Sequence, residues 1–203
     1  MSKSQLLVPA LVLVASLCHG ADFPLKEGDL VFQSFRSDQT EAVELATSSP
    51  YAHIGMILWH DNRLMVYEAF GSVKFTAVDS WIKRDQGRHF VVRRLKNANG
   101  ILTTENLAKL ESVALTFDGR LFDFDLNWSD ERIYCSELIW KIYDRALKID
   151  IGSLRELKDF DLSSPEVQNK LKERFPRGAP LDETVISPQD IFQSPLLTTV
   201  YEQ

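Results

Sequence analysis

The sequence predicts an α+β fold in which a central antiparallel sheet is packed by helices. Between about residues 53 and 95, short apolar runs alternate with turn residues, a pattern typical of antiparallel strands. On both sides of this region, helix-start residues precede apolar residues spaced three and four apart. The chain has 203 residues, of which 44% are hydrophobic, so it is long enough to bury a substantial core.

The strands are predicted from apolar runs that end at turn residues. The predicted strands are 30–32, 53–59, 64–69, 73–76 and 89–95. The turn residues at 60–63 separate two of these runs, and we interpret the pair as a hairpin. Pairing across that turn brings the far ends of the two strands together.

The helices are predicted from capping residues and apolar periodicity. The predicted helices are 38–46, 78–83, 104–117, 135–146, 165–175 and a short helix that begins at Pro188. Ser37, Ser164 and Ser187 are the expected N-caps of three of them, and Thr103 or Thr104 caps a fourth. The segment 150–203 carries fewer signals, and we interpret it as a lid or wall over a cleft.

Residues 1–20 are interpreted as a signal peptide that is removed from the folded domain. Lys3 precedes the apolar segment 6–17, which has the length of a signal-peptide core and is too short to span a bilayer. A lipoprotein signal that keeps Cys18 is the alternative, but Leu17 stands where such signals carry a small residue. The prediction is a single domain over 21–203, exported to the periplasm.

Removal of the signal peptide changes the net charge and the number of cysteines of the folded domain. Loss of Lys3 leaves 22 Lys and Arg against 29 Asp and Glu, a net charge of −7. Such an acidic chain is a poor partner for nucleic acid, and no further segment is apolar enough for stable membrane insertion. Loss of Cys18 leaves Cys135 as a single thiol without an internal disulfide partner.

Cys135 begins an amphipathic helix, and two interpretations of it are open. It is either the first residue of the apolar stripe or a nucleophile whose thiolate is stabilised by the helix N-terminus and a nearby imidazole. His53 opens an apolar strand, where an imidazole needs a hydrogen-bond partner. Either a core histidine or a general base satisfies that pattern.

Glu68 lies inside a strand that otherwise has the pattern of a buried one. The predicted hairpin places it near His53, where a carboxylate orients an imidazole in one tautomer. A surface glutamate at a strand end is the alternative. Asp123, Asp125 and Asp130 lack the spacing of a calcium loop, and the cysteine and histidines lack zinc spacing, so no metal or organic cofactor is predicted.

The order of these motifs resembles a known family. Residues 28–32, 53–56 and 67–69 are similar to the second half of an NlpC-like, papain-related cysteine peptidase domain. In usual members the cysteine helix precedes those strands, whereas here the matching residues 134–137 follow them. That order resembles the circularly permuted branch, the YiiX-like permuted papain-like amidases of Gram-negative bacteria. The resemblance covers about 28–146.

The resemblance implies an enzyme and assigns roles by position. Cys135 would be the nucleophile, His53 the general base and acid, Glu68 the orienting residue, and Tyr134 would line the substrate site. The implied reaction is acyl transfer through a thioester, on a small peptide or acyl substrate.

Three functions are compatible with this reading. An amidase or peptidase acting on cell-wall peptides is expected first. A lipid-directed thioesterase or acyltransferase is the second, in which Phe70, Phe75 and Trp128 either contact a lipid chain or simply pack in the core. A non-catalytic binding module is the third.

Overall fold

The computed structural model describes residues 24–35, 37–85 and 89–203; the predicted signal peptide lies outside them. Its strands are β1 Leu30–Gln33, β2 His53–His60, β3 Arg63–Phe70, β4 Ser72–Ala77, β5 Phe90–Leu95, β6 Arg155–Glu156, β7 Thr184–Val185 and β8 Leu197–Glu202. In the described part of the chain, six of them form one antiparallel sheet in the order β4-β3-β2-β1-β5-β8, and β6 pairs with β7. The predicted antiparallel sheet is confirmed.

The described part of the chain has seven α-helices, and a side chain caps the first turn of four of them. They are α1 Asp38–Thr47, α2 Val78–Ile82, α3 Ala98–Ile101, α4 Thr104–Leu115, α5 Cys135–Leu147, α6 Pro165–Arg174 and α7 Pro188–Phe192. The side chains of Ser37, Thr103, Ser164 and Ser187 each accept a hydrogen bond from a backbone N–H in the first turn. These bonds satisfy donors that a helix start leaves free.

The predicted hairpin joins β2 and β3. Asp61 and Asn62 at its tip both have positive φ, of 49° and 60°, as a two-residue turn with the twist of the flanking strands requires. Register pairs Met56 with Tyr67 and Trp59 with Leu64. The open end of the hairpin is therefore the end that carries the start of β2.

Helix α5 packs against β2, β3 and α4, and it contributes the largest part of one core face. Its buried side chains Leu138, Ile139 and Ile142 recur at the spacings predicted from sequence. The buried Tyr143 hydroxyl donates a 2.9 Å hydrogen bond to the Gly28 carbonyl. This contact ties the helix to the turn before β1. On the opposite face of the sheet, Trp81 of α2 packs in a smaller cluster.

Four of these helices and strands escaped the sequence-based prediction: α3, β6, β7 and β8. Most residues of β8 are exposed or only partly covered, and the strand is held by pairing with β5, more than 100 residues earlier in the chain. The helix predicted to reach Phe117 ends at Leu115 and continues as a turn. In the described ranges, no helix is long and apolar enough to cross a membrane.

Gly55 is required by the contact between β2 and β3, and its replacement tests that contact. A Cβ at this position would lie 2.4 Å from Val66 Cγ1 and 3.2 Å from the Tyr67 carbonyl oxygen. We expect Gly55→Ala to lower the free energy of unfolding by about 1–3 kcal/mol, the usual cost of overpacking a core. Urea denaturation measures this change.

The matched background is Val66→Ala, which removes the clashing methyl group. Gly55→Ala should cost less in that background than in the native sequence. An equal cost in both backgrounds would show that the Val66 contact is not the cause.

Candidate active site

Cys135 is the first residue of α5 and is a free, buried thiol. The start of the helix lies against β2, and the backbone N–H groups of Ile54 and Ser136 interact with the sulfur. The Ser136 hydroxyl donates a 2.8 Å hydrogen bond to the Ile186 carbonyl, which anchors the first turn. The thiol therefore sits where peptide dipoles favour negative charge.

His53, the first residue of β2, lies between the thiol and a carboxylate. Its Nε2 is 2.6 Å from Glu68 Oε2, and the imidazole is within hydrogen-bonding reach of Cys135. Since Nε2 is occupied by the carboxylate, Nδ1 is the nitrogen left for the sulfur. Aromatic rings of Phe35 and Phe70 pack edge-on against the imidazole, with centroids 5.9 and 6.0 Å away. The ring has little freedom to turn.

Glu68 is fully buried, which excludes the surface-glutamate alternative. Oε1 accepts hydrogen bonds from Thr76 Oγ1 and Arg84 Nη2, both at 2.6 Å. Oε2 accepts from Arg84 Nη1 at 2.8 Å in addition to its contact with His53. The carboxylate is thus compensated by a bidentate guanidinium, and its orientation toward the imidazole is set from two sides.

Arg84 was missed by the sequence-based prediction. It follows α2, and its guanidinium also stacks on the Phe70 ring, 4.0 Å from the centroid. A buried glutamate is costly unless a cation pairs with it, so the predicted burial of Glu68 could have indicated that an Arg or Lys lies beside it. The sequence offers Lys83 and Arg84 in succession, and only the three-dimensional path of the chain decides which one turns inward.

The electrostatics of these groups favour a thiolate–imidazolium pair. Burial by itself raises the pKa of Cys135, but His53 and the neighbouring N–H groups outweigh it, so the pKa lies below its ordinary value. Burial lowers the pKa of His53, yet Cys135 and Glu68 outweigh it and raise the pKa to about 9. Burial likewise opposes ionisation of Glu68, but Arg84 and His53 hold its pKa well below the usual range.

Tyr134, the predicted substrate-binding residue, lines a cavity beside the thiol. Its buried hydroxyl accepts a 3.1 Å hydrogen bond from the Ile186 N–H. Burial raises its pKa well above the ordinary value, so the phenol stays protonated. Tyr134 thereby supports the segment 185–188, which forms one wall of the cavity.

Two cavities meet at the thiol. The thiol-side cavity, about 140 Å³, is lined by Cys135, the loop 122–126 and the segments 157–162 and 185–188. The histidine-side cavity, about 280 Å³, is lined by Cys135 and His53 together with aromatic side chains. The C-terminal region supplies a wall of the first cavity, in agreement with the interpretation made from the sequence.

The remaining titratable candidates lie elsewhere. His60 stacks on Phe75 at the hairpin tip, with centroids 3.9 Å apart. Asp130 forms ion pairs with Lys141 and Arg145. In the described ranges, no group of three or more His, Cys, Asp or Glu side chains is placed to hold a metal ion.

The three aromatic residues considered for a lipid chain divide between packing and the cleft. Phe70 lines the histidine-side cavity, whereas Phe75 stacks at the hairpin tip. Trp128 packs against Trp140, with centroids 5.5 Å apart. Of the three, Phe70 is therefore the residue that lines a cavity together with His53 and Cys135.

With the cysteine helix following the histidine strand, this arrangement defines a permuted papain-like cysteine hydrolase. The family model of the permuted papain-like amidase enzymes, the YaeF/YiiX, C92 family, matches residues 24–201, and the chain belongs to that family of cysteine amidases and peptidases. It is 44% identical to the "Uncharacterized protein YiiX" of Escherichia coli K12 over 201 residues, 99% of this chain and 96% of that protein.

A solved structure confirms the fold. The crystal structure of "metalloprotein yiiX" from Escherichia coli O157:H7 is 45% identical and superposes with a TM-score of 0.83. The match covers 88% of this chain and 97% of that one. The resemblance to permuted papain-like enzymes predicted from the sequence is thereby confirmed. That relative is called a metalloprotein, whereas the residues described for this chain lack a cluster of ligands that would fit a metal ion.

The pKa directions predict how Cys135 reacts with iodoacetamide. Because the pKa of Cys135 is lowered, alkylation should follow an inflection below about 8.5, the value for a free thiol. In His53→Ala the burial of the thiol is no longer opposed by the imidazole, so the inflection should move upward. The rate of alkylation measured against pH gives the inflection for the native protein and for the variant. An unchanged inflection in His53→Ala would contradict an ion pair between Cys135 and His53.

Removal of Arg84 tests the compensation of Glu68. Arg84→Met leaves a buried carboxylate without its cation, and we expect a loss of about 3 kcal/mol in the free energy of unfolding at neutral pH. A depressed carboxyl pKa contributes stability that is present above the unfolded pKa and is lost as the pH falls. The difference in the free energy of unfolding between the native and variant proteins should therefore become smaller below about pH 4.3, the pKa of an unperturbed glutamate.

The matched control for that variant is Lys83→Met, which removes an exposed charge one residue earlier. Urea denaturation at several pH values should show little change for the control. If both variants lost the same free energy of unfolding, the effect of Arg84 would come from the net charge of the protein and not from its contact with Glu68.

Proposed function

We propose that this hydrolase cleaves amide bonds of small peptides with Cys135 as nucleophile, His53 as general base and acid, and Glu68 as the orienting residue. The observation that carries the proposal is the buried His53 imidazole. It lies 2.6 Å from the Glu68 carboxylate and within hydrogen-bonding reach of a thiol at a helix start. A core cysteine and a core histidine would need neither contact.

The proposed reaction has two acyl-transfer steps. The Cys135 thiolate attacks the carbonyl carbon, and the N–H of Cys135 stabilises the oxyanion. The tetrahedral intermediate collapses, the C–N bond breaks, and imidazolium His53 gives its proton to the leaving amine. The thioester is then attacked by water, which loses a proton to His53. Collapse of this second intermediate breaks the C–S bond, releases the carboxylic acid and regenerates the Cys135 thiolate beside imidazolium His53.

Glu68 has a role that Arg84 makes possible. Because the guanidinium holds Glu68 ionised, the carboxylate orients and stabilises the imidazolium without taking its proton. Arg84 acts on the thiol only through Glu68 and His53, and its second contact, with the Phe70 ring, is one of packing. We therefore treat it as a positioning residue.

Cell-wall peptides are the proposed physiological substrates, and the periplasm is the proposed compartment. Export is supported by Lys3 followed by the apolar segment 6–17, with small residues at Gly20 and Ala21. A periplasmic hydrolase meets cross-linking peptides whose short residues suit the size of cavities of about 140 and 280 Å³. The acidic net charge disfavours nucleic acid as an alternative partner.

A lipid-directed thioesterase is the second candidate, and one observation favours it. The thiol-side cavity is largely apolar, with Val43, Leu126, Leu157, Phe160 and Ile186 among its lining residues. Its volume argues against a long chain, since a cavity of about 150 Å³ holds a benzene-sized group. A purely binding protein would not need the ion-paired triad.

A substrate panel separates the candidates. Purified protein should release amines from peptidoglycan-derived peptides, and Cys135→Ala should abolish that release. Acid quenching during turnover should trap a thioester on Cys135, seen as an acyl mass increment on the intact protein. Turnover of acyl esters alone would favour the lipid-directed enzyme, and turnover of neither class would leave a binding module.

A further inference from the structure

Gln33 is the last residue of β1, and the sheet places it beside His53. The strand register pairs Gln33 with His53 of β2 on one side and with Phe90 of β5 on the other. Paired residues of antiparallel strands project from the same face of the sheet, and their Cβ atoms are about 4.5–5.5 Å apart. The neighbour of the proposed general base on this side is therefore an amide side chain.

The surroundings of this amide are apolar and closed to solvent. Gln33 has no exposed surface, and Phe90 and Trp81 are buried. The centroid of the Trp81 ring lies 6.4 Å from that of His53 and 6.2 Å from that of Phe90. The indole thus packs on both register partners of Gln33 and encloses the amide between them. In such an enclosure a dipole acts on a nearby charge more strongly than it does in water.

Neither end of the amide is hydrogen-bonded. Both Oε1 and Nε2 of Gln33 are buried without a partner among the described residues. A buried, unpaired amide costs free energy, and each such group in a folded protein needs an explanation. The Trp81 indole, which packs on the same face of the sheet, also has an N–H without an acceptor. The groups around the amide are thus an N–H donor and a ring that is positive when protonated, and an amide oxygen suits both.

We propose that Gln33 is a positioning residue that directs its amide oxygen toward His53 and stabilises the imidazolium form of that ring. This rests on the proposed function, in which imidazolium His53 pairs with the Cys135 thiolate and gives its proton to the leaving amine. Gln33 is not among the described residues that line the two cavities, so it acts on the reaction only through His53.

The charged groups that face the imidazole come from other elements than β1. Burial lowers the pKa of His53, but Cys135 of α5 and Glu68 of β3 outweigh burial and raise the pKa to about 9. Arg84, which follows α2, reaches the ring only through Glu68. Both β1 and α2 face the ring with uncharged side chains. Removal of the Gln33 dipole should therefore lower the pKa of His53 while the contacts with thiol and carboxylate remain.

The test titrates the imidazole itself, by NMR of protein that carries isotopically labelled histidine. Gln33→Met replaces the amide by an apolar side chain of similar length, and the His53 midpoint should fall by about one pH unit, the size of an ordinary environmental effect. Gln33→Asn retains a shorter amide and should give an intermediate midpoint. Gln33→Leu is a second apolar variant should the first not fold. The exposed His60 at the hairpin tip should titrate identically in every protein.

Urea denaturation against pH separates this role from a purely structural one. A folded-state pKa above the unfolded value of 6.5 contributes stability that is complete below pH 6.5 and is lost as the pH rises through about 9. Because Gln33→Met reduces that contribution, its free energy of unfolding relative to native protein should rise between these two pH values. A Gln33 that only fills space would give a difference that does not depend on pH.

The matched control is Gln189→Met, which removes an amide elsewhere in the domain. Gln189 Oε1 accepts a 2.6 Å hydrogen bond from the Ser49 hydroxyl, and Gln189 is not among the described residues that line the two cavities at the thiol. This variant should be less stable than native protein by the same amount across the pH range. Its His53 midpoint should stay at the native value.

The proposal is overturned if the His53 midpoint of Gln33→Met equals the native one, or if Gln189→Met lowers that midpoint as much. The same titration in a Cys135→Ala background makes the result independent of the proposed nucleophile, and the fall should persist there. A fall in both backgrounds without turnover of any substrate would refute the proposed function and support this role of Gln33. Turnover that requires Cys135, with unchanged midpoints, would do the reverse.

Discussion

The structure of the site depends on one buried charge. Glu68 has no exposed surface, and a carboxylate in that position is tolerated because its four hydrogen bonds include a bidentate guanidinium. The ionised carboxylate in turn determines which nitrogen of His53 carries a proton toward it. The other nitrogen is thereby directed at the sulfur of Cys135. Loss of the Arg84 guanidinium would therefore affect Glu68 first and, through it, His53 and Cys135.

The sheet supplies the geometry for this network. The register that pairs Met56 with Tyr67 places Gly55 opposite Glu68 when it is extended by one pair. His53 lies two residues before Gly55 on β2 and therefore faces the same side as Glu68. A side chain at Gly55 would contact the Glu68 Cβ as well as Val66. The β2–β3 pair therefore has to approach closely at this point. The requirement explains why a residue that usually weakens a strand occurs in a largely buried one.

Local patterns were sufficient to predict the hairpin, the cysteine helix and the meeting of His53 with Glu68, because each depends on residues close in sequence or on one turn. Arg84 was not predictable, since the choice between it and Lys83 depends on how a short helix crosses the sheet. The thiol-side cavity was not predictable in detail either. Its walls come from α1, the loop before α5 and the C-terminal region, which meet through contacts distant in sequence.

The contacts that hold the site together do not depend on the order of its elements along the chain. The residues proposed for catalysis are joined by strand pairing and by packing of α5 on β2, and neither depends on which element comes first. Moving the cysteine helix behind the strands preserves the thiol, imidazole and carboxylate. It changes what surrounds them, because the segment after α5 is free to fold back over the cleft. Arg174 and the wall at 185–188 belong to that segment and line the thiol-side cavity, so the permuted order keeps the thiol, imidazole and carboxylate together while changing the cavity beside the thiol.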